Sequence, residues 1–97
     1  MPTPAWLARF RADFERLTRA QQVAFLVAVR EFVEDLESGQ AFRKGLRVKG
    51  VQGAWGIFEM TWAGDGRATF EYGDEVNVGS PHVVWRRVGT HTILKQP

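Results

Sequence analysis

The sequence predicts an α+β domain in which a helical hairpin packs on a four-stranded antiparallel sheet. Apolar residues recur at helical spacing as far as Leu36, and nine of the ten glycines fall from Gly45 onward. Between those glycines β-branched and aromatic residues become frequent, the composition of short strands and tight turns. The stretch Ala63-Gly64-Asp65-Gly66 between two such runs is a hairpin signal.

Thr3-Pro4 reads as an N-cap followed by the residue favoured at the first helical position. Trp6, Leu7, Phe10, Phe14 and Leu17 then form one stripe, which predicts a helix over 5–17. Thr18 with Gln21 three residues later is a capping box opening a second helix over 19–37. Its buried stripe is Phe25, Leu26, Val29, Phe32, Val33 and Leu36, and Ser38-Gly39 supplies the stop. The link between the helices is almost absent, so they fold back on each other. Strands are expected at about 46–51, 55–62, 67–72 and 82–88. Alternation puts Phe58, Met60 and Trp62 on one face and Ile57, Glu59 and Thr61 on the other. A register that keeps apolar faces together places Arg67, Thr69 and Glu71 with Glu59, on a polar face turned outward. With Val83 and Trp85 towards the helices, His82, Val84 and Arg86 join that polar face.

At 97 residues the chain is expected to be one domain, 1–97, with 44% apolar residues for its core. There is no cysteine, which excludes disulfides and thiolate metal sites, and two histidines alone make no metal centre. The longest apolar run, Val23–Val29, falls far short of the roughly 20 residues a membrane span needs. The start of the chain lacks the pattern of a signal peptide. A cytoplasmic protein is the expectation.

Net charge is only +2, but its distribution is uneven. No acid occurs between Glu37 and Glu59, a gap holding Arg43, Lys44, Arg47 and Lys49. After Glu75 there is again none, and that tail holds His82, Arg86, Arg87, His91 and Lys95. Such stretches fit a polyphosphate or acidic-protein ligand, and equally a solvated charged surface.

The segment Val51-Gln52-Gly53-Ala54-Trp55-Gly56-Ile57-Phe58-Glu59, the Gly66–Tyr72 strand opened by Arg67, and the Arg87-Val88-Gly89-Thr90-His91 end carry a resemblance. In this order behind two helices they resemble the RelE/ParE superfamily over about residues 6–94. The resemblance implies the toxin of a type II toxin–antitoxin pair, with a cognate antitoxin as partner. Most such toxins cut mRNA in the ribosomal A site, whereas the ParE branch poisons DNA gyrase. It implies no metal and no small-molecule cofactor. Arg67 matches the arginine on the scissile phosphate, His91 the basic residue after the last strand, and Arg86 or Arg87 a further basic residue before that turn. Lys44, Arg47 and Lys49, with Arg43, fall in the basic stretch lining the RNA or antitoxin groove, and Lys95 extends the basic tail.

The chain departs from the pattern in four places. The family's first strand has no evident counterpart, because Met1-Pro2-Thr3-Pro4 is short and proline-rich. Residues 55–62 contain no Lys or Arg, no acid stands just before Leu46, and the tail has no tyrosine.

Metal-free RNA cleavage needs a group to accept the 2′-hydroxyl proton and another to protonate the leaving 5′-oxygen. It also needs fixed positive charge for the phosphorane. Arg67 suits the last role, since a guanidinium is always charged and forks onto two oxygens. His91 can move a proton near neutral pH. Glu59, sharing a face with Arg67, is the candidate base by geometry. Arg67 and Glu59 also fit an ordinary cross-hairpin ion pair, and His91 a turn cap. Trp62 and Trp85 read as core, while Trp55 falls on the polar side, where it can stack on a base or on antitoxin. Three functions stay open: an mRNA endonuclease toxin, a binding-only toxin or relic of the same fold, and an unrelated basic α+β binding module.

Overall fold

A computed structural model describes residues 1–97. Strand β1 (Thr3–Trp6) leads into helices α1 (Ala8–Arg16) and α2 (Arg19–Ser38). A 3-10 turn at Lys44–Leu46 precedes β2 (Lys49–Gly50), β3 (Phe58–Thr61), β4 (Gly66–Gly73) and β5 (His82–Thr90), and a second 3-10 turn spans His91–Lys95. The strands form one sheet in the order β1-β5-β4-β3-β2, with β1 parallel to β5 and the other pairs antiparallel.

The α+β class and the helical hairpin on the sheet stand as expected, but the sheet has five strands. The first strand is present, in the very residues expected to start a helix. Its prolines explain how. The Thr3 and Leu7 N–H groups donate to the carbonyls of Pro81, just before β5, and Trp85, on β5, so residues of odd number face the neighbour. Pro2 and Pro4 therefore fall where an edge strand needs no donor. Trp6 closes β1 and Leu7 becomes the N-cap of α1, without a side-chain cap.

Helix α2 follows its sequence signals closely. Thr18 Oγ1 accepts from the Gln21 N–H, Gln21 Oε1 accepts from the Thr18 N–H, and Gly39 ends the helix in the left-handed region at φ 74°. Phe58 pairs with Phe70 and Met60 with Ala68, so the apolar face of the hairpin meets the helices as the register required. Trp85 sits at the centre of the core, 5.7 Å from Phe25, 5.4 Å from Phe32 and 5.3 Å from Phe70 between ring centroids. Phe10, Phe25, Phe32, Met60 and Phe70 are buried, and Phe14, Val29, Phe58 and Trp62 pack against them.

Two features of the sheet escape simple alternation. Thr69 faces Arg87 but Phe70 faces Trp85, so Arg86 is the extra residue of a β-bulge. The bulge lets Trp85 and Val88 both point into the core with two arginines between them, which strict period two forbids. The polar face, moreover, is not open to solvent. The 3-10 turn at 91–95 folds over it, burying Ile93 against Gly89, and Glu59 and Thr69 are themselves buried. Ile93 and Leu94 supply the apolar cover.

Candidate functional site

The face of the sheet away from the helices brings Glu59 and Arg67 together, whereas the other candidate residues lie with partners of their own. Glu59 lies opposite Thr69 and Lys49, and Arg67 opposite Thr61 and Gly89. Arg67 Nε stands 4.0 Å from Glu59 Oε1, while its Nη1 donates to the Gly64 and Gly66 carbonyls at 3.2 and 3.0 Å. Those bonds fix the guanidinium against its own turn and leave Nη2 without a partner. Gly66 is required there, because a Cβ would come within 2.5 Å of the Trp62 ring, whose Nε1 donates to the Arg67 carbonyl.

His91 follows β5 and is held by Asp65 of the β3–β4 turn, Nδ1 to Oδ1, at 2.6 Å. A carboxylate on Nδ1 orients the ring and presents Nε2 outward. Asp65 reads in sequence only as a turn residue, and nothing local signals that the last strand ends beside it. Arg86, on the bulge, pairs with Glu71 across β4 and donates through Nε to the Pro97 carbonyl at 3.3 Å.

Arg87 turns over the stretch of β5 that β1 does not reach. Its Nε and Nη2 donate to the two oxygens of Asp13 at 2.7 and 3.2 Å, and Asp13 also accepts from the Val88 N–H at 3.2 Å. This carboxylate raises the Arg87 pKa above its ordinary value. Arg43 is occupied in the same way, by Glu31, Glu34 and Asp35 of α2, and the Asp35 carboxyl is held down at about 2 by those hydrogen bonds. Stretches without acids in sequence are thus not without acids in space. Lys44, Arg47, Lys49 and Lys95 are the candidate cations with no carboxylate within ion-pair range.

A cleft of about 410 Å³ opens beside this set, lined by Lys49, Gly50, Val51, Gln52, Glu59 and Leu94. Glu59 forms its buried wall and Lys49 its charged rim. The Thr69 hydroxyl, next to Glu59 across the strands, is buried without a hydrogen-bond partner. Trp55 stands apart, fully exposed on the loop before β3, at the end of the sheet opposite His91. No cluster of three or more His, Asp or Glu side chains has the arrangement to hold a metal ion. No helix is long and apolar enough to cross a membrane.

The chain has the fold of the RelE/ParE-like toxins. YafQ from E. coli strain BL21(DE3) superposes with a TM-score of 0.67 at 12% identity, over 97% of this chain and 98% of that one. The RelB-RelE antitoxin-toxin complex from Methanococcus jannaschii gives 0.59 at 15% identity over 95% of each chain. The YoeB/ParE toxin from Agrobacterium tumefaciens gives 0.64 at 9% identity, over 92% of this chain and 98% of that one. No family model and no curated protein matches the sequence.

Proposed function

We propose that this chain is the toxin of a type II toxin–antitoxin pair and acts as a metal-independent, ribosome-dependent mRNA endonuclease. The observation that supports this most is the Glu59–Arg67 pair on the sheet face away from the helices, beside a cleft rimmed by Lys49. In this reading Glu59 accepts the proton of an attacking 2′-hydroxyl. Arg67, with Nη2 unengaged, stabilises the charge that develops on the phosphate, and Arg86 adds to the field. His91 gives a proton from Nε2 to the leaving 5′-oxygen, with Asp65 holding the ring. Lys44, Arg47, Lys49 and Lys95 attract the RNA backbone, while Arg43 and Arg87 shape the groove from within their ion pairs. Such a chain works in the cytoplasm, where ribosomes are, and is silenced by a cognate antitoxin covering residues 43–49 and 86–95.

The test is induced expression without antitoxin, followed by primer extension across translated messages. Arg67→Ala is expected to raise the barrier by about 2–4 kcal/mol, a rate loss of roughly 10²–10³ that abolishes growth arrest. Thermal unfolding of the same variant separates loss of activity from loss of fold. Retained arrest removes Arg67 from the mechanism. Arrest with intact mRNA and trapped double-strand DNA breaks moves the protein to gyrase poisoning, and no arrest at all marks a relic that only binds.

A further inference from the structure

The loop between β2 and β3 consists of two β-turns in series. The Ala54 N–H donates to the Val51 carbonyl and the Ile57 N–H to the Ala54 carbonyl, each at 3.1 Å. Both turns carry glycine at their third position with φ 81°, at Gly53 and Gly56, which is the type II pattern. Neither glycine is demanded by crowding, since a Cβ at either meets nothing within 4 Å. A bond from the Val51 N–H to the Ile57 carbonyl at 2.8 Å closes the base of the loop, and Val51 itself is buried. Val51-Gln52-Gly53-Ala54 and Ala54-Trp55-Gly56-Ile57 therefore present Gln52 and Trp55 at equivalent corners. Gln52 lines the cleft beside Glu59 and Lys49. Trp55 is 99% exposed, so folding gains nothing from its indole.

We infer that Trp55 is a stacking platform for an unpaired base of a single-stranded RNA whose backbone runs along the β2 edge towards Arg67. This rests on the endonuclease reading and adds a subsite to it. Three observations carry it. The loop backbone is closed by its own hydrogen bonds, so little ordering entropy opposes contact with a ligand. An exposed indole offers a face on which any base can stack, without sequence preference. The route from Trp55 towards the far end of the sheet passes Lys49, and Arg47 lies further along, among residues facing the β3–β4 turn. Arg47 holds a left-handed backbone, φ 48°, although it is not glycine. That conformation closes the 3-10 turn at Lys44–Leu46, with the Arg47 N–H donating to the Lys44 carbonyl at 3.0 Å. From the row of Phe58 and Phe70 to that of Arg67 is about 10 Å of strand, so the stacked base lies a few nucleotides from the scissile phosphate.

The probe is a short, fluorescein-labelled 2′-O-methyl oligoribonucleotide, which lacks the attacking hydroxyl and reports binding by anisotropy whether or not the chain cleaves. Trp55→Ala is expected to weaken binding about 10–100-fold, and Trp55→Phe to restore most of it. Lys49→Ala should weaken binding and lower the slope of log affinity against log salt by about 0.7. Thermal unfolding of Trp55→Ala should match the parent, because the side chain touches solvent alone. Unchanged RNA affinity in Trp55→Ala overturns the inference, as does failure of the parent to bind. Loss of antitoxin affinity in its place overturns it too and makes the loop a protein anchor. Parent binding that depends on Trp55, with no cuts in translated messages on induced expression, sinks the endonuclease reading and leaves the platform standing. Cleavage untouched by Trp55→Ala, together with unchanged binding, does the reverse.

Discussion

On the helix-facing side of the sheet, Met60, Ala68, Phe70, Trp85 and Val88 meet Phe10, Phe25 and Phe32, with Asp13 of α1 bonded at the edge to the Val88 N–H. On the other side, one layer of strand away, Glu59 sits by Arg67, Arg86 pairs with Glu71, and the Thr69 hydroxyl is buried without a partner. The first face needs only apolar residues of fitting volume at alternate positions. The second relies on partners that must meet at defined distances, each brought from a different part of the chain. The first kind of order tolerates substitution by shape, whereas the second fails when one member is lost.

The largest effect on stability is expected from the first face. Phe32 is wholly buried between Phe42, Phe70 and Trp85, and Phe32→Ala should cost about 3–5 kcal/mol in urea unfolding. Asp13→Ala comes next, since it strips two guanidinium bonds and the Val88 N–H of their acceptor. About 2–3 kcal/mol is expected, as for hydrogen bonds to charged groups in a partly buried setting. A loss exceeding that of Phe32→Ala would break the contrast and make the polar network the main support of the fold. Gly66→Ala forces the Trp62 ring aside and should cost about 1–3 kcal/mol, with altered tryptophan circular dichroism in the near ultraviolet. Toxicity lost while that stability cost stays small would tie the turn to the setting of Arg67.

The smallest effect concerns pH. The Asp35 carboxyl is depressed to about 2 from 3.8, chiefly by its side-chain bond to Arg43. A depressed carboxyl contributes stability that is complete above its unfolded pKa and is lost as pH falls through its folded one. Protection against hydrogen exchange at 40–43, relative to the intrinsic rate at each pH, should therefore fall between about pH 4 and 2. The amides of β4 and β5 should hold over the same range if the two regions are independent.

How much of this was legible in sequence follows the same division. Helix α2, its capping box, its glycine stop and the shared apolar face of Phe58 and Phe70 came from spacing alone, because helices and hairpins answer to local rules. Strand β1 did not, since a parallel edge strand depends on a partner about 79 residues away and its two prolines mimic a helix start. The bulge at Arg86 was hidden because alternation was extended through it. Glu59 and Arg67 were correctly placed on one face by parity. The Asp65–His91, Asp13–Arg87 and Arg43 clusters were invisible, as nothing in a linear charge pattern tells which acid folds back on which base.

The ends of the sheet repay a last look. A sheet offers its outermost strands as templates, and any chain that lies alongside can continue the ladder. Here one border carries Pro2 and Pro4, with no donor to give. The opposite border, β2, is only two residues long and is followed at once by the double turn. The remaining gap, where β5 outruns β1, is occupied by the Asp13 carboxylate on the Val88 N–H. These features disfavour edge-to-edge pairing between copies of the sheet.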